Sequence, residues 1–410
     1  MAAQRVKQLE IVTTQGVAGH LVRESQFVMR YSLESSAIPP RAISLTMAPR
    51  VEPYLSNRLP PVLAMNLPEG FLLNLVHERY GKATNVKDEM NLLALTSTPT
   101  AGRVWARGTE HASQPGSVSL KKLLSAKGTE ELFQDLIDRF ALSTSLAGVM
   151  PKVAVVERAK LHTPGWIVKT GGAEYPGMAE NEYICMSIAK AAGIDVPEFH
   201  LSNDRKLFVI KRFDARDDGS FLGFEDMACL MGRQPEQKYE GSYGNISLAI
   251  KNNVADAFRA RDLERFYRQL VLCVALRNGD AHLKNWGITY TDPSTAGQDA
   301  TLSPAYDIVC TRTYLPKDVL ALGLMGSKAW PARESVERFG LEHCGLTKPG
   351  RLIDEVIDAI LAYRPEDKTG AWKEMREVIM AGSDSLQPSA RPRPRNPRKT
   401  LLASRMRKGS

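Results

Sequence analysis

Hydrophobic and polar positions alternate with a period of two over Gln8 to Thr13, His20 to Glu24 and Gln26 to Leu33, with Gly16 and Gly19 between the first two segments. Successive strand side chains face opposite ways, so this spacing predicts a small β-rich unit, extended by Ser44 to Met47. The period then lengthens. Leu67-Pro68-Glu69-Gly70 opens a helix to about Tyr80, with Leu72, Leu73, Leu75 and Val76 on its buried side and Gly81 as its stop; a second helix follows over Lys87 to Leu95. Gly108 to Gly116 is small, polar and punctuated by Gly and Pro, as a boundary between units is.

From Gly128 the pattern predicts a helix over Glu130 to Phe140, a Ser/Gly loop, and strands over Lys152 to Glu157 and Trp166 to Thr170. A helix over Glu180 to Ala192, stopped by Gly193, carries Tyr183, Ile184, Ser187, Ile188 and Ala191 at spacings of three and four, so it packs on a sheet. Strands near Phe199 to Leu201 and Leu207 to Arg212 complete that sheet. Beyond Phe213 the chain turns mainly helical: Glu225 to Met231, Ser247 to Lys251, Leu263 to Leu276, Arg333 to Phe339, Leu352 to Tyr363 and Ala371 to Met380. No strand–helix alternation repeats, which argues against a doubly wound nucleotide fold.

Composition changes this picture little. At 410 residues, 43% hydrophobic and 24% charged, the chain has room for two or three cores and fits neither a disordered nor a membrane protein. No apolar run reaches the roughly 18 residues of a spanning helix, and no signal-peptide pattern opens the chain, so the cytoplasm is the expected compartment. Five dispersed cysteines without a C-x-x-C pair are expected to be core thiols, and His343-Cys344 lacks a partner pair for zinc. The net charge of +8 is local: eight of the 54 basic residues fall within 386–410, which holds no acidic one, leaving 46 basic against 46 acidic elsewhere. Pro388, Pro392, Pro394 and Pro397 forbid a regular helix there, so the end is either a solubilising disordered tail or a polyanion-binding arm.

The densest polar stretch is Arg277-Asn278-Gly279-Asp280-Ala281-His282-Leu283-Lys284-Asn285, between the helix that ends at Leu276 and a strand at Trp286 to Tyr290. Asp280 and Asn285 are five residues apart, the separation of a protein-kinase catalytic loop, in which the Asp takes the acceptor's proton and the Asn holds a magnesium ion. Asp307, in Ser303-Pro304-Ala305-Tyr306-Asp307-Ile308, follows a hairpin as a second metal-holding carboxylate would; one or two such oxygens suffice for Mg²⁺. The alternative is a tight Asn278-Gly279 turn in which both side chains merely cap backbone.

A phosphoryl-transfer site also needs cations for the phosphates. Lys169 stands alone among apolar residues on Trp166-Ile167-Val168-Lys169, and Glu182 in the next helix could hold it as an ion pair; a strand-edge lysine in water is the other reading. The loop Ser143-Thr144-Ser145-Leu146-Ala147-Gly148-Val149-Met150-Pro151-Lys152 runs into a strand as a phosphate-covering loop should. It matches neither standard glycine-rich pattern, and a plain surface loop fits it as well.

Four separated segments, in order, resemble the HipA-like serine/threonine kinases, the toxins of bacterial toxin–antitoxin pairs. They are Ser145 to Gly148 through Lys152, Glu180 to Tyr183 through Gly193 to Glu198, Asn278 to Asn285, and Leu302 to Asp307; Met65 to Gly70 is similar to the family's N-terminal subdomain. The resemblance implies an α+β bilobal protein-kinase-like fold. Its parts would be a β-rich N-terminal subdomain (1–112), an N-lobe with the phosphate loop (113–213), an all-helical C-lobe with catalytic and metal loops (214–382) and a basic, Pro-rich disordered tail (383–410). It implies ATP with Mg²⁺ and phosphoryl transfer to a protein serine or threonine, arresting growth. Asp280 would be the base, with His282 and Lys284 supporting its loop. Asn285 and Asp307 would hold the metal, and Ala147, Gly148, Lys152 and Lys169 with Glu182 would bind the nucleotide. Ser145, with Ser143 as the alternative, would be autophosphorylated. The implied partners are a helix-turn-helix antitoxin that carries the chain to operator DNA, and a protein substrate such as an aminoacyl-tRNA synthetase. The family's loop usually has Gln where this chain has Met150, which removes a polar contact, and the basic tail lies outside the pattern. A kinase-fold co-repressor module and a small-molecule phosphotransferase remain as competing readings.

Overall fold

A computed structural model describes residues 6–33, 41–69, 73–74, 76–77, 85, 87–95, 101–107, 119–125, 165–171, 175–365 and 370–388, and the backbone of 152–156. The expected phosphate loop with Ser143, Ser145, Ala147 and Gly148, the helix at 130–140, the boundary at 108–116, the side chain of Lys152 and the basic tail beyond 388 lie outside the described residues.

Alternation at the start of the chain becomes a five-stranded antiparallel sheet. Its strands are β1 (Gln8–Thr13), β2 (Gly16–Arg23), β3 (Phe27–Tyr31), β4 (Tyr54–Ser56) and β5 (Val104–Arg107), in the order β4-β3-β2-β1-β5. Gly19, expected to separate two strands, lies inside β2: an added Cβ would stand 2.1 Å from the Arg30 carbonyl oxygen on β3, so the close approach of β3 requires glycine here. One face buries Leu9, Ile11, Leu21, Phe27 and Met29 against helices α1 (Pro61–Ala64) and α2 (Glu89–Leu95). Ser44 to Met47 contributes a single bridge rather than a strand.

After the short helix α3 (Leu120–Ser125) comes a four-stranded antiparallel sheet of order β6-β7-β9-β8, formed by β6 (Lys152–Val156), β7 (Gly165–Thr170), β8 (Phe199–Leu201) and β9 (Leu207–Lys211). Helix α4 (Met178–Ala191) crosses it, burying Ile184 and Ile188. It stops as its sequence demands: Gly193 sits at φ 70°, and Ile194 N–H and Gly193 N–H bond back to the Ala189 and Lys190 carbonyls.

The remainder is not the all-helical lobe that the resemblance implies. Three strands, β10 (Gly223–Asp226), β11 (Gly287–Tyr290) and β12 (Thr301–Leu302), form a third antiparallel sheet. The helix expected over Glu225 to Met231 is in fact β10 followed by the single turn α5 (Met227–Leu230). Asp226 ends the strand and caps that turn, its carboxylate accepting from Cys229 N–H. The helices of this region are α6 (Tyr243–Asn253), α7 (Asp256–Ala275), α8 (Ala296–Asp299), α9 (Arg333–Glu342), α10 (Pro349–Ala362) and α11 (Gly370–Asp384); α7 packs on β12, and α6, α8, α10 and α11 pack on α7. Helix α11 runs on to Asp384, and Leu386 is fully buried, so the tail begins later than the expected 383. All five cysteines are buried and free, and no helix among the described residues is long and apolar enough to cross a membrane.

The first sheet's unit is fastened to the rest by buried polar contacts. The fully buried Glu225 accepts from Ser44 Oγ, Leu45 N–H and Tyr290 OH, each at 2.7 Å, and from Cys229 Sγ at 3.3 Å. The Asp214 carboxylate accepts from Gly102 N–H at 2.6 Å while pairing with Arg212.

Candidate active site

Helix α7 delivers the polar loop through a Schellman stop. Asn278 N–H bonds to the Cys273 carbonyl at 2.9 Å and Arg277 N–H to that of Val274 at 3.2 Å, with Arg277 in the left-handed region at φ 56°. A non-glycine residue there costs about 1–3 kcal/mol. Arg277 is held by Ser385 Oγ at 3.0 Å and lies 4.9 Å from the Trp330 ring centroid, contacts that offset this strain. Gly279 follows, its N–H on Thr311 Oγ1 at 2.8 Å.

The capping reading of the loop holds in part. Asn285 Oδ1 accepts from His282 N–H at 2.9 Å, as that reading expects, whereas the second cap is Asn278, whose Oδ1 accepts from Asp280 N–H at 3.1 Å. Asn285 also reaches out of the loop, its Nδ2 donating to Asp307 Oδ2 at 3.1 Å.

Asp307 Oδ1 accepts from Lys169 Nζ at 2.7 Å, and the same ammonium donates to Glu182 Oε1 at 2.5 Å. Strand β7, helix α4 and the segment after β12 thus converge on one lysine. Lys169 and Glu182 are buried, while the Asp307 side chain remains 24% exposed. Burial opposes the charge of Lys169, but Asp307 and Glu182 outweigh it and hold the ammonium above the ordinary lysine range. Asp307 adopts φ 59°, a left-handed conformation that Asp tolerates better than most residues.

The Asp280 carboxylate accepts from Tyr239 OH at 2.7 Å through Oδ1. His282 is buried with Nδ1 lacking a hydrogen-bond partner among the described residues, and its ring meets Tyr239 edge-on at 5.1 Å. Burial first, then the Lys238 ammonium, push its imidazole down to about 3, which favours the neutral ring. Lys284 points toward the first unit. Its Nζ donates to Glu69 Oε1 at 2.5 Å and to the Met65 carbonyl at 3.5 Å, with Asp226 Oδ2 at 3.9 Å. Lys238 reaches the other Glu69 oxygen at 3.4 Å, and its carbonyl accepts from Leu283 N–H at 3.1 Å.

Lys169, Glu182, Asp307 and Asn285 therefore form one continuous hydrogen-bonded chain, and Asp280, His282 and Lys284 share the loop that holds Asn285. The sequence reading missed Tyr239 and Lys238 as loop contacts, and it placed Glu69 in a motif without a partner. Their local sequence carries no signal, because their partners are tertiary.

The donor set suits a hard divalent cation. One carboxylate and one amide side chain stand together at Asp307 and Asn285; the amide turns Nδ2 to Asp307 and Oδ1 to His282 N–H, so Asn285 would have to turn to offer its oxygen to a Mg²⁺ whose shell water and phosphate oxygens complete. Among the described residues no cluster of three or more His, Cys, Asp or Glu side chains could hold a metal by itself, so a cation here would depend on such outside oxygens.

The chain is similar to known proteins over most of its length. Residues 144–363 match the family described as the HipA-like C-terminal domain, and residues 9–107 match the HipA N-terminal domain. Y4dM of Sinorhizobium fredii, provisionally named a kinase, is 30% identical over 336 residues, covering 75% of this chain and 76% of that protein. Y4mE of the same organism, named likewise, is 28% identical over 262 residues, covering 58% and 59%. Among solved structures, a chain of the Shewanella oneidensis MR-1 toxin–antitoxin complex of HipA, HipB and operator DNA shares the fold. Its TM-score is 0.65 at 19% identity, with 92% of this chain and 95% of that one covered.

Proposed function

The chain belongs to the HipA-like kinase family, and from that premise we propose that it is an ATP- and magnesium-dependent serine/threonine protein kinase acting as a growth-arresting toxin. The observation that supports this most is the unbroken chain Glu182–Lys169–Asp307–Asn285, closed by the loop that carries Asp280.

When bound, the nucleotide supplies the phosphoryl group, and the metal neutralises charge on it. Asp307 and Asn285 would hold the metal. Glu182 holds the Lys169 ammonium at the end of β7, and this cation would bind the phosphates. Asp280 takes the proton of the acceptor hydroxyl. In this reading Ser145 is the autophosphorylated residue that shuts the enzyme off. A helix-turn-helix antitoxin brings the chain to operator DNA, and the acceptor is a protein of the translation machinery such as an aminoacyl-tRNA synthetase.

The test is transfer of label from γ-labelled ATP with Mg²⁺, in wild type and in Asp280→Asn and Asp307→Asn of unchanged melting temperature. Loss in both variants is expected, since general-base positioning alone contributes about 10²- to 10⁴-fold. Full activity in Asp280→Asn overturns the assignment. Nucleotide binding without turnover in wild type points instead to a co-repressor module, and label found only on small molecules points to a small-molecule phosphotransferase.

A further inference from the structure

The main chain of Asp280 is fixed from within its loop. Its N–H bonds to Asn278 Oδ1 at 3.1 Å, and its carbonyl accepts from His282 N–H at 2.8 Å. Neither contact sets the plane of the carboxylate, and the terminal torsion of an aspartate is broad, so side-chain preference does not set it either. A base must present a particular oxygen to the acceptor within about 2.6–3.2 Å. The Tyr239 hydroxyl, 2.7 Å from Oδ1, supplies an anchor from a different segment of the chain.

That segment is itself pinned at successive residues. The Lys238 carbonyl accepts from Leu283 N–H on the loop, the Tyr239 carbonyl from Lys328 Nζ at 3.2 Å, the Glu240 carbonyl from Arg233 at 2.5 Å, and the Gly241 carbonyl from Gly323 N–H at 3.1 Å. The ring is held edge-on to His282 at 5.1 Å. Backbone tied at four consecutive positions is a fixed strut, not a lid. Tyr239 is nonetheless 41% exposed, so it lies where the site opens to solvent and an acceptor can approach.

We infer that Tyr239 is a positioning residue for phosphoryl transfer: its hydroxyl holds Oδ1 of Asp280 and thereby orients the carboxylate toward the acceptor hydroxyl. This rests on the reading of Asp280 as the base. The phenol stays protonated throughout and takes no part in proton transfer. Burial, and then the neighbouring Asp280 charge, hold it well above the ordinary tyrosine range.

The experiment uses the full chain, γ-labelled ATP and Mg²⁺, with the chain itself as acceptor. It compares wild type, Tyr239→Phe and Tyr239→Ala for the rate of label uptake at saturating ATP, the KM for ATP, the affinity for a fluorescent ATP analogue, and the melting temperature. Tyr239→Phe keeps the ring against His282 and removes only the hydroxyl. The expected result is a fall in maximal rate of about 10- to 100-fold, the range for a hydrogen bond to a charged group, with KM and analogue affinity unchanged. Tyr239→Ala falls at least as far. A Tyr239→Phe variant as fast as wild type overturns the role of Tyr239 alone, and one that is faster shows that the hydroxyl obstructs the acceptor. A fall in rate matched by an equal loss of analogue affinity also overturns it, since the phenol would then only hold the site together. Wild type that labels neither itself nor any protein of a cell lysate overturns the kinase reading, and this role with it.

Discussion

Glu69 is the residue through which the first unit grips the catalytic loop, and its removal has a calculable effect. Its two oxygens face two ammonium groups, Lys284 at 2.5 Å and Lys238 at 3.4 Å, and the three side chains are 18%, 8% and 11% exposed. Glu69→Gln keeps the shape and deletes the charge, leaving two cations face to face in a poorly solvated space. Removing one partner of a buried pair costs about 3–5 kcal/mol. The lower end, about 3 kcal/mol, applies here, because Asp226 remains 3.9 Å from Lys284 and Glu69 keeps some solvent.

The loop registers this loss through two amides. Leu283 N–H is held by the Lys238 carbonyl at 3.1 Å and Asn285 N–H by that of His282 at 3.0 Å. Native-state hydrogen exchange reads the free energy of local opening at such sites. Where opening breaks the Glu69 contacts, about 3 kcal/mol corresponds to a loss of protection of roughly 100-fold. In a cycle with Lys284→Met the double variant should be little worse than either single one, a coupling of about 1–3 kcal/mol. Protection at Leu283 and Asn285 unchanged in Glu69→Gln, or strictly additive single effects, would refute the clamp.

Gly279→Ala should lower label transfer about 100-fold with little change in melting temperature. Its Cβ would stand 2.0 Å from Asp318 Oδ2 and 2.5 Å from the Val319 carbonyl, which displaces the loop, and small misplacements cost about that much. Glu225→Ala should lower the melting temperature sharply, since it removes the acceptor of four donors and orphans the buried ones at about 1–3 kcal/mol each, while Glu225→Gln should be milder; equal melting of Ala and wild type would count against this clasp. Ser145 should gain one phosphate on incubation with ATP, seen by intact mass and absent in Ser145→Ala and Asp280→Asn. The added charge of nearly two should repel ATP, so a phosphorylated form that still binds nucleotide rejects the mechanism.

What the sequence revealed about the site follows from where each partner lies. Lys169 was legible because a single charge on an apolar strand must find a counter-charge, and the next helix offers Glu182 thirteen residues on. Asp280 and Asn285 were legible because loop chemistry fixes their spacing. Glu69 and Lys284 are 215 residues apart, and Tyr239 lies 41 before Asp280 on a segment with no pattern of its own, so only the packed chain joins them. Glu225-Asp226 shows the opposite failure. A charged pair followed by Met-Ala-Cys-Leu has the composition of a helix start, and only the pairing of Phe224 and Glu225 with Thr289 and Ile288 makes it a strand. There, burying Glu225 is tolerable because Ser44, Leu45, Tyr290 and Cys229 all donate to it, and none of these donors is visible from its neighbours in sequence. Local chemistry therefore identified the groups suited to act on a phosphate, whereas the groups that hold them in place came from distant segments, and the candidate base, anchored by Tyr239 on one side and the Glu69 clamp on the other, depends on both.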